Sequence, residues 1–517
     1  MQILECCLPM VVAPGIVLAG CRYAEDSTHM PASLSRASSS PSVASAAGAG
    51  GEAGNSGAAG AEVSTAEPDA RRHVIIVIGD GMQMAHEIAG SRYLTGRDDG
   101  LSFHSFPVRT FQTTWDINVY NYFASQRGVH IYSPLNFDPT VGYDPEVGGS
   151  LPYPLLPDTP ERRDYFLSSP AGYSSSTATA MATGQKTDTD NIAWLSGDPD
   201  DGQLETSPEI LRRDHGMLVG FVTTGYISGA TPAGWFAHNK TRYDYLAIAH
   251  EELTIMRPDV VIAGAAGPTG ATYVSESDLA AVRADEEYIT VERSPGVDGS
   301  MAILAGAVSA NQQNKKLFGL FGGADPSFAP PIPADNPGEP VFSRVTQEDP
   351  SLAAASIAAL EVLAQNPAGF FLLVEQADID RANHSNDFAW MIGCVHDLDD
   401  AVAAIVAFVD RPGDNVEWSN TTIVVTSDHA NSYMRLEQPL GIGDLPAQQN
   451  LGGWVYPDGD VTYGCGTHTN ELVNVYVRGQ AEDQIEAYEN VYEGLGIIDN
   501  TSIFELTMDA VLARSRR

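Results

Sequence analysis

The chain has 517 residues, 43% of them hydrophobic and 18% charged, which is enough for one large core or for two domains. Its 67 acidic and 28 basic residues give a net charge of −39. So acidic a surface disfavours nucleic acid or an anionic membrane as a specific partner. It also repels phosphorylated substrates, so a site that binds them needs strong local positive charge, which metal ions can supply. A simpler interpretation is that the acidity keeps an exported protein soluble.

The N-terminal segment has the pattern of a bacterial lipoprotein leader. An apolar run over residues 8–20, too short to span a bilayer, ends in Leu-Ala-Gly followed by Cys21. The pattern predicts a signal peptide at 1–20, acylation of Cys21, and a Ser/Ala/Gly-rich disordered tether over 21–70. No Lys or Arg precedes the apolar run, which argues against a signal peptide. We expect an exported protein, periplasmic or on the cell surface, that contacts a membrane only through a lipid at Cys21.

The cysteines form no CxxC pair, so neither a cysteine zinc knuckle nor a thioredoxin-like motif is predicted. After cleavage at Cys21, only Cys394 and Cys465 would remain unmodified. They could form one disulfide, although the spacing does not decide it.

The folded part, residues 71–517, alternates apolar β-branched runs with amphipathic stretches. Such alternation predicts an α/β three-layer sandwich, with a large, mostly parallel central sheet flanked by helices on both faces and with surface insertions. The predicted strands are Val74–Ile78, Met217–Thr223, Phe370–Val374 and Thr422–Thr426; the predicted helices include Leu352–Ala364 and Ala389–Phe408. We expect an insertion at about 117–170, and further excursions at 266–300 and 325–350.

Each predicted strand runs into a polar cluster. In open α/β sheets the ligand lies beyond the carboxyl ends of the strands, so the four clusters are expected to share one crevice. A single Asp or His there is more often a cap than a ligand, but four coincidences are harder to explain. Carboxylates with imidazoles suit zinc, and all-oxygen sets suit magnesium. The clusters contain Asp80, then Thr231, then Glu375 with Asp380 and His384, and finally Asp428 with His429.

The segment 173–184 predicts a helix of small residues that stops at Gly184. A serine at its start is commonly a helix cap. Alternatively, it is a nucleophile placed where the helix N-terminus favours phosphate. Residue chemistry alone leaves the choice open among Ser174, Ser175, Ser176 and Thr177.

Together these motifs resemble the alkaline phosphatase family over most of residues 73–475. The motifs are IGDGM (78–82), SSSTATAMATG (174–184), ATPAGWFAHNKTR (230–242), GFFLLVEQADIDRANH (369–384), TSDHANS (426–432) and GTHTNE (466–471). The resemblance implies that Ser174 is the nucleophile and that Arg242 grips two phosphate oxygens. It also implies two Zn²⁺ and one Mg²⁺. The implied ligands are Asp380, His384 and His468 for the first zinc, Asp80, Asp428 and His429 for the second, and Asp80, Thr231 and Glu375 for magnesium.

Three positions depart from the family pattern. Tyr173 replaces the usual Asp that helps orient the arginine, so Arg242 is expected to be looser or held by another group. Gly229 replaces an Asp or His near the magnesium site. Arg381 stands where Lys, His or Trp is common, and it could contact phosphate directly or through water.

The resemblance implies hydrolysis of small-molecule phosphomonoesters through a phosphoserine, by a protein that is usually a homodimer. Alternatives are a phosphodiesterase or sulfatase of the same superfamily, or a surface protein that binds phosphate or metal and has lost catalysis. Glu375 and Arg242 argue against a diesterase, whereas Tyr173 and Gly229 lend some support to lost catalysis.

Overall fold

The computed structural model describes residues 71–413 and 415–512. The predicted signal peptide at 1–20, the lipidation position Cys21 and the tether at 21–70 lie outside the described residues. No described helix combines the length and the apolar character needed to cross a membrane.

The strands and helices alternate along most of the chain. The strands are β1 Arg72–Gly79, β2 Val108–Thr113, β3 Leu218–Tyr226, β4 Val260–Gly264, β5 Tyr288–Glu292, β6 Lys316–Leu320, β7 Pro331–Ala334, β8 Val341–Arg344, β9 Gly369–Gln376, β10 Thr421–Thr426, β11 Ala430–Asn431, β12 Met434–Leu436, β13 Gln449–Asn450, β14 Trp454–Val455, β15 Val461–Tyr463, β16 His468–Thr469, β17 Val473–Gly479 and β18 Ile497–Asp499. The α-helices are α1 Met84–Thr95, α2 Ile117–Arg127, α3 Pro139–Gly142, α4 Pro160–Ser168, α5 Ser174–Thr183, α6 Ser207–His215, α7 Ala230–Phe236, α8 Tyr245–Glu251, α9 Glu276–Ala284, α10 Gly299–Gln313, α11 Leu352–Leu363, α12 Asp378–His384, α13 Phe388–Val409 and α14 Ser502–Leu512.

Ten strands form the central sheet, in the order β18-β2-β17-β10-β1-β9-β3-β4-β6-β5. Strand β17 pairs antiparallel with both its neighbours, and the other pairings are parallel. The four strands predicted from sequence are β1, β3, β9 and β10, and they lie side by side in the middle of the sheet. Their continuous apolar runs are explained by this position, because a central parallel strand is covered on both faces.

Strand β1 illustrates the two covered faces. Ile75 and Val77 pack into the apolar cluster that includes α1, α10, α11 and α13. Val74, Ile76 and Ile78 pack into the cluster that includes α5, α7 and α14. All five side chains are at most 1% exposed, and burying a side chain of this kind stabilises a fold by about 1.5–3 kcal/mol. The predicted three-layer sandwich is confirmed.

The excursions predicted from sequence have structures of their own. Residues 117–170 contain α2, α3 and α4, and their aromatic side chains form a separate apolar cluster around Trp115. Residues 325–350 contain the hairpin β7–β8. The interpretation of 266–300 as an excursion was wrong, since this stretch contains α9 and supplies β5, the edge strand of the main sheet. The alternation in Tyr288–Glu292 is weak because an edge strand is only half covered.

The two cysteines of the described part are both free. Cys394 is buried in α13, and Cys465 lies in the loop before β16. The disulfide that the sequence left open between them is therefore not formed in this structure.

Candidate active site

The polar residues predicted at the strand ends meet at the carboxyl edge of four adjacent strands, β10, β1, β9 and β3. Adjacent parallel strands end at the same edge of a sheet, which is why segments distant in sequence converge there. The groups come from the loops after β1 and β10, from the end of β9 and helix α12 that follows it, from helix α7 after β3, and from short strand β16.

One ligand group consists of Asp80, Asp428 and His429, whose potential ligand atoms all lie within 4.8 Å of one another. His429 Nε2 is 3.2 Å from Asp428 Oδ2 and 3.5 Å from Asp80 Oδ1. These two carboxylate oxygens are buried and have no hydrogen-bond partner. Buried oxygens without a donor are costly, so this arrangement fits a cation between them.

A second group consists of Asp380, His384 and His468. His384 Nε2 lies 3.1 Å from Asp380 Oδ2 and 3.1 Å from His468 Nε2, and His468 Nε2 lies 3.4 Å from Asp380 Oδ1. His429 also reaches this group, because its ring stacks on that of His468 with centroids 3.6 Å apart.

Both imidazoles of the second group are oriented by backbone carbonyls. His384 Nδ1 donates to Gly466 O at 2.8 Å, and His468 Nδ1 donates to Gly172 O at 3.0 Å. A carbonyl can only accept, so in the neutral rings both Nε2 atoms carry lone pairs. Two lone pairs 3.1 Å apart repel each other unless a cation lies between them, and carbonyl-oriented imidazoles are the usual arrangement of metal-binding histidines.

A third group offers only oxygen. Glu375 accepts a hydrogen bond of 2.5 Å from Thr223 Oγ1 on the neighbouring strand. The Thr231 hydroxyl lies near enough to affect the ionisation of Glu375, although it makes no hydrogen bond of ordinary geometry and is buried. Asp80 is near enough for the charge of Glu375 to raise its pKa. Carboxylate and hydroxyl oxygens suit a hard cation such as magnesium.

Burial and mutual repulsion make this concentration of carboxylates unfavourable without a cation. Burial first, and then the neighbouring carboxylates, raise the pKa of Asp80 well above its ordinary value. Burial likewise raises the pKa of Asp428 to about 6 and that of Glu375 to about 7. Burial opposes the ionisation of Asp380, but His384 and His468 hold its pKa well below the ordinary value. Among the described residues, only imidazoles make ion pairs with these carboxylates. The donor set therefore fits metal ions.

The structure distinguishes among the four hydroxyl residues at the start of α5. Ser174 Oγ lies 3.2 Å from His429 Nε2, inside the cluster. Ser175 Oγ donates to Thr189 O, Ser176 Oγ donates to Asp116 Oδ2, and Thr177 Oγ1 donates to Tyr173 O. The cap position is Tyr173, and Ser174 is the first helical residue. The alternative interpretation of Ser174 as a helix cap is therefore wrong.

Arg242 lies beside the cluster and its backbone N–H donates to Asp190 O at 2.8 Å. Burial works against its charge, but Tyr226, Tyr243 and Asp80 more than offset this and raise its pKa. Within the described part of the chain, its guanidinium makes no hydrogen bond or ion pair. Its five donors thus remain available to an anion.

The three departures from the family pattern have specific surroundings. Tyr173 packs its ring against His468, with centroids 4.9 Å apart. Gly229 is the N-cap of α7 and, as a glycine, contributes no side chain of its own next to Thr231. Arg381 Nη1 and Nη2 donate to Asp325 at 3.1 and 2.8 Å, and Nη1 also donates to Asp378 at 2.9 Å. Both terminal nitrogens of Arg381 therefore already have carboxylate partners.

Sequence reasoning missed three residues that support the ligands. Thr223 fixes Glu375, and Asn431 Nδ2 donates to Asp380 Oδ1 at 2.5 Å. Gly81 has a φ of +67°, and a Cβ there would lie 2.7 Å from Asp380 Oδ1. Gly81 and Asn431 belong to the quoted motifs IGDGM and TSDHANS, so both residues could have been predicted as part of the site from these motifs. Nothing in the sequence distinguishes Thr223 from any other strand threonine.

Comparison with known proteins gives consistent relatives. The alkaline phosphatase family model matches residues 156–264 and 299–439. Alkaline phosphatase H of Pseudomonas aeruginosa is 30% identical over 316 residues, which are 54% of this chain and 62% of that protein. Streptomycin-6-phosphate phosphatase of Streptomyces griseus is 26% identical over 487 residues, which are 84% of this chain and 90% of that protein. The chain spans only 50–63% of the length of three bacterial alkaline phosphatases that it matches.

Solved structures share the fold. An alkaline phosphatase mutant from the Antarctic bacterium TAB5, with magnesium bound in its M3 site, matches with a TM-score of 0.56 and 18% identity. The match covers 86% of this chain and 99% of that one. At this identity the likeness establishes the architecture of the sheet and its helices.

Proposed function

The chain belongs to the alkaline phosphatase family, and on that premise we propose that it hydrolyses small-molecule phosphate monoesters through a phosphoserine at Ser174. The observation that carries the proposal is the position of Ser174 Oγ, 3.2 Å from His429 Nε2 within a cluster of carboxylates and imidazoles. Phosphoryl transfer depends mainly on a positioned nucleophile and on positive charge around the phosphoryl group. Ser174 is the nucleophile, and the residues around its hydroxyl can supply the charge.

In the first step, Ser174 Oγ attacks phosphorus in line with the ester oxygen. The Oγ–P bond forms as the bond from phosphorus to the leaving oxygen breaks, and the departing alcohol carries the proton that the serine loses. In the second step, water attacks the phosphoserine. The Oγ–P bond breaks, Ser174 regains a proton, and inorganic phosphate is released.

The ligand set that we propose has three parts. Asp380, His384 and His468 would hold one zinc ion, and Asp80, Asp428 and His429 a second. Asp80, Thr231 and Glu375 would hold magnesium. When bound, these ions supply positive charge that lowers the pKa of hydroxyl groups and neutralises phosphoryl oxygens. The buried, unpartnered oxygens of Asp80, Asp428 and Thr231 support this assignment.

Arg242 would orient the phosphoryl group. Its backbone is held by the carbonyl of Asp190, while its guanidinium keeps all its donors. A guanidinium binds two oxygens of one phosphate in a fixed geometry. We therefore propose that Arg242 binds two nonbridging oxygens of the phosphoryl group and keeps phosphorus in line with Ser174 Oγ.

The test compares turnover of p-nitrophenyl phosphate and bis-p-nitrophenyl phosphate by protein supplied with zinc and magnesium. We expect a strong preference for the monoester. Ser174→Ala should abolish turnover, and Ser175→Ala, which removes a neighbouring hydroxyl bonded to Thr189 O, should retain it. Acid-quenched wild type should carry one phosphoryl group on the peptide that contains Ser174. A preference for the diester would favour a phosphodiesterase, and no turnover by the metal-supplied wild type would favour a binding protein.

We further propose that the protein is exported, anchored through a lipid on Cys21, and homodimeric. The lipoprotein-like sequence before Cys21 supports the first two statements, and family membership supports the third. Membrane fractionation of wild type and Cys21→Ala tests the anchor. Light scattering on the folded part tests the dimer, and a monomeric mass would contradict it.

A further inference from the structure

Two tyrosines border the mouth of the candidate site. Tyr173 immediately precedes Ser174, is 42% exposed, and lies with its ring against His468. Tyr243 immediately follows Arg242 and is 59% exposed. Burial first, then Asp190 and more weakly Tyr173, raise the pKa of Tyr243 against the lowering effect of Arg242, so the two phenols lie within electrostatic range of each other. The pair Tyr173 and Tyr243, here called the tyrosine rim, thus adjoins both the nucleophile and the phosphate-binding arginine.

Three other tyrosines form an aromatic cluster near Arg242. The ring of Tyr226 stacks on that of Tyr273, with centroids 3.9 Å apart and planes 23° apart. Tyr245 meets both rings edge-on at 5.5 and 5.2 Å. Tyr226 and Tyr245 also interact electrostatically with Arg242. Residues on both sides of Tyr243 therefore have fixed contacts, Arg242 through its backbone N–H and Tyr245 through its ring.

The position of the rim relative to the reaction indicates which part of a substrate it meets. In an in-line displacement the leaving oxygen lies opposite the attacking oxygen. Ser174 is only 4% exposed, so the nucleophile is at the closed end of the site. The side chain of His384 is 25% exposed and marks the open end, and His384 contacts His468, on which Tyr173 packs. The alcohol of a bound monoester would therefore project toward the tyrosine rim.

We propose that the tyrosine rim binds the leaving group, and that the preferred substrates are monoesters of alcohols with a planar aromatic ring, such as aryl or nucleoside monophosphates. This inference rests on the proposed function, because only an ester cleaved at Ser174 has a leaving group there. Flat, exposed tyrosine rings favour offset or edge-to-face contact with another aromatic ring. Such a contact exists in the bound ester and in the transition state alike, so it lowers KM more than it raises kcat.

The kinetic test uses phenyl phosphate and hexafluoroisopropyl phosphate, an aliphatic ester whose alcohol is of similar acidity. We expect Tyr173→Ala and Tyr243→Ala to lower kcat/KM for phenyl phosphate by about three- to tenfold, mainly through KM. The aliphatic ester should change by less than about twofold. Tyr173→Phe keeps the ring and should therefore keep the preference for phenyl phosphate over the aliphatic ester. Tyr122→Ala, which removes a tyrosine of α2 that is 37% exposed, is the matched control. An equal loss for both esters would assign Tyr173 to the support of His468 alone and overturn the inference, as would no loss for either.

A binding measurement separates this inference from the proposed function. Phenylphosphonate and methylphosphonate cannot be cleaved, and their affinities for metal-supplied protein are measured by calorimetry. Preference for phenylphosphonate that disappears in Tyr173→Ala and Tyr243→Ala supports the rim, even if the wild type turned over neither ester and the proposed function failed. Equal affinity of the wild type for both phosphonates overturns the rim, even if both esters are cleaved.

Discussion

In protein without metal ions, the carboxylates of the candidate site should destabilise the fold increasingly as pH rises. In the absence of cations, burial and the surrounding carboxylates raise the pKa of Asp428 to about 6 from an ordinary value of 3.8. The pKa of Glu375 is raised to about 7 from 4.5 for the same reasons. A carboxyl whose pKa is raised in the folded state binds more protons folded than unfolded. The free energy of unfolding therefore falls between about pH 4 and pH 7.

The size of the effect follows from the difference in pKa. For Asp428 a difference of about 2 corresponds to about 3 kcal/mol. The contribution of Glu375 is not added in full, because the repulsion between these carboxylates is shared by the group. We therefore expect the carboxylates of the site to contribute a loss of about 3 kcal/mol or somewhat more from pH 4 to pH 8 in the metal-free protein. For a chain of this size, that loss lowers the urea midpoint by up to about 1 M.

The assay is urea unfolding of chelator-treated protein at pH 5 and pH 8, for wild type and Asp428→Asn. Asp428 Oδ2 has no hydrogen-bond partner, whereas Oδ1 accepts from the backbone N–H groups of Gly81 and His429. An asparagine can keep the Oδ1 contacts and places a neutral amide at the Oδ2 position. Metal-free Asp428→Asn should therefore be more stable than metal-free wild type at pH 8, and this advantage should be smaller at pH 5. An advantage of the variant over wild type that is no larger at pH 8 than at pH 5 would refute the reasoning.

Three other substitutions test separate parts of the structure. Gly81→Ala places a Cβ 2.7 Å from Asp380 Oδ1 at a φ of +67°, so kcat/KM for p-nitrophenyl phosphate should fall by about tenfold or more; unchanged kinetics would show that the loop tolerates the methyl group. Arg242→Lys cannot bind two oxygens in a fixed geometry, so the inhibition constant of inorganic phosphate should rise by about tenfold, and an unaltered constant would remove Arg242 from the phosphate site. Lys186 is buried, with Nζ 3.0 Å from Asp499. Lys186→Met leaves the carboxylate of Asp499 without its cationic partner, so the free energy of unfolding in urea should fall by about 3–5 kcal/mol. A fall of less than about 1 kcal/mol would contradict this.

The sequence alone determined the centre of the sheet and most of the chemical groups of the site. The four apolar runs could be identified because strands covered on both faces must be apolar throughout. Asp380 and His384 could be paired because they are four residues apart on helix α12. The edge strand β5 escaped prediction because half of its surface is exposed and its pattern is weak.

The tertiary structure decided what depends on the relative position of distant segments. Of the four hydroxyl residues at the start of α5, only Ser174 has its Oγ directed at His429, which is 255 residues away in the chain. The tertiary structure also kept Cys394 and Cys465 as free thiols and committed Arg381 to Asp325 and Asp378. Residue types and local spacing restrict which groups can bind metal or attack phosphorus. Which oxygen faces which nitrogen depends on strand order and loop path, and these are set by the packing of the whole core.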